Sequence, residues 1–98
     1  MENFNEIING ETVTLVDFYA TWCGPCKMMH PVLEQLKEEM GDTLRIVKID
    51  VDKNMELAGT YEIQSVPTLM IFKNGEIKWR QSGALSLSAL KGVLGSKF

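Results

Sequence analysis

Apolar residues in this chain recur in some stretches at the spacing of a strand and in others at that of a helix, and the two periods keep changing places along its length. Glu2 to Asn9 reads as a short, weak helix ended by Gly10, and Thr12 to Tyr19 as a strand of β-branched and aromatic residues that Asp17 interrupts. From Pro25 to about Met40, the apolar Met29, Leu33, Leu36 and Met40 share one side of a helical wheel, with Glu34, Lys37 and Glu38 elsewhere on it. That pattern predicts an amphipathic helix closed by Gly41. Pro31 brings no amide to its hydrogen bonds, so a kink is expected there. Thr43 to Val51 is a second strand with Arg45 and Lys48 set among aliphatic residues, and Asp52 to Thr60 a short helix or helical turn.

Thr68 to Phe72 is apolar throughout, as in a strand buried on both faces. Ile77, Trp79 and Gln81 alternate with Glu76, Lys78 and Arg80, the pattern of a half-exposed strand. Asn74-Gly75 between the two is a type I′ hairpin signal, because that turn needs positive φ at both central residues, and it predicts antiparallel pairing. Ser86 is placed to cap a last helix carrying Leu87, Leu90, Val93 and Leu94 on one side. This order of elements implies an α/β fold of three layers, a mixed sheet with helices on both faces.

Composition narrows the functional classes. The chain has 98 residues, 45% of them hydrophobic and 23% charged, which suits one globular domain spanning residues 1–98. A formal charge of -3 and a pI near 5.1 remove the basic footprint that nucleic acid or an anionic membrane surface requires, so neither is an expected partner. No apolar run is long enough to span a bilayer, and the first residues lack the basic and apolar regions of a secretory signal, which makes the cytoplasm the expected compartment. With only two cysteines, a framework of structural disulfides is excluded and chemistry becomes the better reason for the pair.

Trp22-Cys23-Gly24-Pro25-Cys26-Lys27 stands where a strand ends and a helix begins. Residues three apart in a first helical turn face the same side at about 5 to 6 Å, within reach of a disulfide. Unpaired amides and the positive end of the helix dipole favour a thiolate at Cys23, the expected attacking sulfur. Cys26, one turn further in, is expected to be more buried and to resolve the mixed disulfide formed on Cys23. Pro25 suits the first turn and stiffens it. A zinc site is the rival reading, but these cysteines and His30 supply three ligands at most, so no metal is expected. Met28, Met29 and Met40 read as packing, and His30 as a residue of the helix face.

Val16-Asp17-Phe18 leading into this motif, and Ser65-Val66-Pro67-Thr68 leading into Phe72-Lys73-Asn74-Gly75, resemble the thioredoxin family. Lys48 followed by Asp50 and Asp52, and Gly83-Ala84-Leu85-Ser86, match it in order and spacing, so the resemblance covers nearly the whole chain. It implies a thioredoxin fold and a monomeric protein-disulfide reductase without a cofactor, recharged by a thioredoxin reductase and acting on disulfide-containing proteins. The family usually has one more N-terminal strand, for which there is no room before Asn9, so four strands are expected in place of five. Thr43 to Val51 then becomes an edge that Arg45 and Lys48 protect from pairing with another chain.

The resemblance also implies roles for single residues. Asp17 is either a structural carboxylate or a base for Cys26 acting through water, with its pKa raised by desolvation. Lys48 either solvates the edge or lies beside Asp17. Trp22, Gly24 and Pro25 are expected to form the surface that receives the substrate, and Val66-Pro67 a cis peptide that pairs with it in extended form alongside Gly83 and Ala84. No His or Lys stands between the cysteines to favour the thiolate further, so the dithiol should be reducing. An oxidase or isomerase, or a binding module without turnover, are the competing functions.

Overall fold

The computed structural model describes residues 3–95. Four strands, β1 (Val13–Tyr19), β2 (Leu44–Asp50), β3 (Thr68–Lys73) and β4 (Glu76–Ser82), form one sheet in the order β2-β1-β3-β4. β1 runs parallel to β2 and antiparallel to β3, and β3 and β4 are an antiparallel hairpin. The four-stranded mixed sheet and the edge position of β2 are therefore as expected. Helices α2 (Gly24–Met40) and α4 (Leu87–Leu94) cover one face, and α1 (Phe4–Ile8) and α3 (Met55–Thr60) the other. The expected first helix reached back to Glu2, which lies outside the described residues.

Alternation along the strands divides the core between the two faces. Leu15, Leu44, Leu69 and Ile71 meet Met29, Leu33 and Leu36 of α2 and Leu90 of α4. Val16, Phe18, Met70 and Phe72 meet Ile8, with Phe4, Leu57 and Tyr61 packed against them. Local capping sets the helix starts: the Asn3 side chain accepts from Glu6 N, and that of Ser86 from Ala89 N. Helix α2 continues through Pro31 and is capped by Gly41, whose φ of 56° favours glycine. At the hairpin, Asn74 and Gly75 take φ of 55° and 80°, as the type I′ turn requires. A Cβ on Gly75 would also lie 2.6 Å from Asn9 Oδ1.

One strand departs from its pattern. Ile71 pairs with Trp79 but Phe72 pairs with Ile77, so the register shifts and Lys78 is the extra residue of a bulge. Ile77 and Trp79 thereby follow partners on opposite faces of the sheet, where strict alternation puts them on the same face. Only Trp79 gains partial cover; Ile77 stays 51% exposed.

Candidate active site

β1 ends at Tyr19 and the chain turns through Ala20, Thr21 and Trp22 into α2, which places both cysteines at the carboxyl end of a central strand. Cys23 is the N-cap of α2, with extended backbone, and its sulfur accepts from the Cys26 amide at 3.2 Å. It therefore stands in the position that Ser or Asp takes in most helices, where an acceptor or an anion meets unpaired N–H groups. Cys23 and Cys26 are joined as a disulfide, with Cα atoms 5.3 Å apart. Gly24 and Pro25 between them are exposed in the first turn.

Burial differs from expectation in degree. Cys26 is fully buried, as anticipated, but Cys23 is itself only 5% exposed. Ala20 forms a small cluster with both cysteines, against which Tyr19, Val51 and Val66 pack. The Val66 loop thus packs directly against the disulfide and covers part of it.

That loop contains the cis peptide Val66-Pro67 expected from the family resemblance. The Val66 carbonyl oxygen lies 3.6 Å from Cys23 Sγ. Pro67 is buried, and its carbonyl accepts from Gly83 N at 2.8 Å, which draws the β4–α4 connection to the same end of the sheet. Gly83 has φ of 97°, a conformation that disfavours a side chain, and Ala84 beside it is exposed.

Trp22 is 70% exposed and not part of the core. Its indole N–H donates to Asp52 Oδ2 at 2.9 Å, which holds the ring in place. With Val51, Ile63, Gln64, Ser65 and Val66 it lines a shallow cavity of about 170 Å³ beside the cysteines. Asp52 enters the sequence reading as part of the family pattern, with no role given to it, and Ile63 and Gln64 do not enter it at all. Asp52 and Trp22 are 30 positions apart, and no local pattern links them.

Asp17 is completely buried, and neither of its carboxylate oxygens has a hydrogen-bond partner among the described residues. Burial pushes its pKa up from 3.8 to about 6, against the opposing pull of Lys48. Lys48 stands opposite Asp17 in the β1–β2 register and is itself exposed at the sheet edge. Lys48 thus lies on the exposed edge, and its charge opposes the rise of the Asp17 pKa. His30, taken as a helix-face residue, is half-buried with its ring edge-on to Tyr19, centroids 5.5 Å apart. Asp17 is two residues before Tyr19 in β1, so a carboxyl of raised pKa and the nearly buried disulfide share one end of the sheet.

Comparison with known proteins agrees with this geometry. The thioredoxin family profile matches residues 1–96. Thioredoxin of Bacillus subtilis is 63% identical over 84 residues, which are 86% of this chain and 81% of that protein. Chloroplastic thioredoxin Y of rice is 46% identical over 89 residues, 90% of this chain but 53% of that longer protein. The crystal structure of oxidized mitochondrial thioredoxin 3 from Saccharomyces cerevisiae superposes with a TM-score of 0.84 at 38% identity, covering 95% of this chain and 87% of that one. The chemistry of the Cys23–Cys26 pair is that of a thiol–disulfide oxidoreductase acting as a protein-disulfide reductase. On fold, motif and extended sequence identity together, the chain belongs to the thioredoxin family.

Proposed function

We propose that residues 1–98 act as one monomeric domain in which Cys23 attacks the disulfide of another protein and Cys26 resolves the intermediate. The observation that carries this reading is the asymmetry of the pair: Cys23 caps α2 and receives the Cys26 amide, while Cys26 is sealed from solvent. The Cys23 thiolate forms a bond to one substrate sulfur, and the other leaves as a thiol after taking a proton. Cys26 then gives its proton through water to Asp17, whose raised pKa near 6 suits it to accept near neutral pH. The Cys26 thiolate attacks Cys23 Sγ, the substrate's second thiol leaves, and two electrons have passed from the cysteine pair to the substrate.

Lys48 opposite Asp17 moderates that carboxyl. The substrate strand lies along Val66 and Pro67, with Gly83 and Ala84 on its other side and Trp22, Gly24 and Pro25 forming the surrounding surface. A thioredoxin reductase restores the dithiol for further electron transport, and the acidic surface and lack of a membrane-crossing helix among the described residues suit work in the cytoplasm.

The test is to challenge Cys23→Ser and Cys26→Ser with insulin and analyse the products by mass spectrometry. Cys26→Ser should accumulate a mixed disulfide on Cys23, and Cys23→Ser should form none at a comparable rate. An adduct that prefers Cys26 would reverse the assignment.

A further inference from the structure

The connection from β4 to α4 is tied at two points that come from different parts of the fold. Gly83 N–H donates to the Pro67 carbonyl at 2.8 Å. Leu85 N–H donates instead to a sulfur, Met29 Sδ, at 3.3 Å, although the two residues are 56 positions apart. Met29 is 1% exposed and sits on α2, three residues after Cys26 and two after Lys27. A thioether is a weak acceptor, yet at this part-buried position it is the group that takes the Leu85 amide, and removing the partner of a part-buried amide is unfavourable.

Side chains reinforce the tie. Leu85 precedes Ser86, the N-cap of α4, and packs against the cluster that contains Leu90, the pairing by which a residue before the cap fixes the entry angle of a helix. Exposed Ala84 is thus suspended between a tether to the cis-proline loop and a tether to the cysteine-bearing helix. Any shift of Leu85 would change the distance of the Ala84 backbone from Cys23.

We propose that Met29 is a positioning residue, its thioether holding the Gly83–Leu85 segment at the height where the Ala84 backbone meets an extended substrate. The role rests on the reading that Gly83 and Ala84 contact the substrate. Volume-conserving changes that remove the acceptor are well tolerated in a core. Met29→Leu and Met29→Ile differ from each other in shape yet both lack the acceptor, which separates packing from hydrogen bonding.

Amide exchange and steady-state kinetics on the full chain test it. In both variants the Leu85 amide should exchange at least tenfold faster, while the Ile71 amide in the core keeps its rate. KM for insulin should rise threefold or more with kcat unchanged, and the rate with 5,5′-dithiobis(2-nitrobenzoate), too small to lie along the loop, should not move. Unaltered Leu85 exchange, faster exchange with unaltered insulin KM, or an effect in only one variant would each overturn the proposal. Ala84→Pro, which removes the amide offered to the substrate, separates the two levels of the reading. If it leaves insulin KM unaltered, the substrate contact itself is wrong and the positioning role falls with it. If it raises KM while the Met29 variants do not, the tether alone has failed.

Discussion

The two faces of the sheet are built on different terms. On the α1 and α3 side, Phe4, Phe18, Tyr61 and Phe72 pack ring against ring, with centroids 5.5 to 6.4 Å apart, and the strand residues beneath them are apolar. On the α2 and α4 side, aliphatic residues fill most of the core, but Asp17 stands among them with no hydrogen-bond partner among the described residues. One face holds large rings in edge-to-face and tilted contact, an arrangement that adds to the stability of their burial. The other accepts a desolvated acid, which lowers stability wherever the acid is ionised. A small protein can tolerate a costly group on one face when the opposite face is closed by well-packed aromatics.

The largest effect on stability is expected from the aromatic face. Phe72→Ala should cost about 3 to 5 kcal/mol in denaturant unfolding, since it deletes a fully buried ring that touches both Phe4 and Tyr61. Under conditions where the variant remains folded, its rate of disulfide exchange should be close to that of the parent chain. A rate loss as large as the one at Asp17 would show that the faces do not divide stability from chemistry.

Asp17→Asn should act in the opposite sense on stability. The folded carboxyl has its pKa near 6 and the unfolded one near 3.8, so between these values the folded state binds the extra proton. Ionising Asp17 at higher pH therefore destabilises the fold, by on the order of 3 kcal/mol once ionisation is complete. The Asn variant should be more stable than the parent by about that amount near pH 8. The difference should shrink as pH falls through 6 and vanish below about pH 4, which unfolding curves across this range would reveal. Stopped-flow kinetics should show the resolving step slowed and the attack by Cys23 nearly unaffected; an unchanged resolving rate would leave Asp17 without a part in proton transfer.

The smallest effect belongs to the residue that the bulge displaces. Ile77 is 51% exposed, so Ile77→Thr should change stability by no more than about 0.5 kcal/mol. Trp79 carries the contact that strict alternation would have divided between the two, and a loss at Ile77 above 1 kcal/mol in thermal unfolding would contradict that placement.

Local interactions were readable in the sequence because they are completed within a few residues. The Asn74-Gly75 turn, the Ser86 cap, the end of α2 at Gly41 and the cysteine pair in a first helical turn all depend on backbone geometry and near neighbours. The strand and helix periods likewise report which faces must be covered, and the four strands follow from them. What depends on separated segments had to await the assembled fold. Cys23 is nearly buried because the Val66 loop closes over it from 43 positions away, and Trp22 is held by an aspartate that no local pattern connects to it. The bulge at Lys78 arises from how β4 meets β3 rather than from the alternation of β4 itself, and the Leu85 amide finds its acceptor on a helix near the other end of the chain. Burial and hydrogen-bond satisfaction are properties of the packed whole, so a residue's chemical environment is decided only when distant segments come together around it.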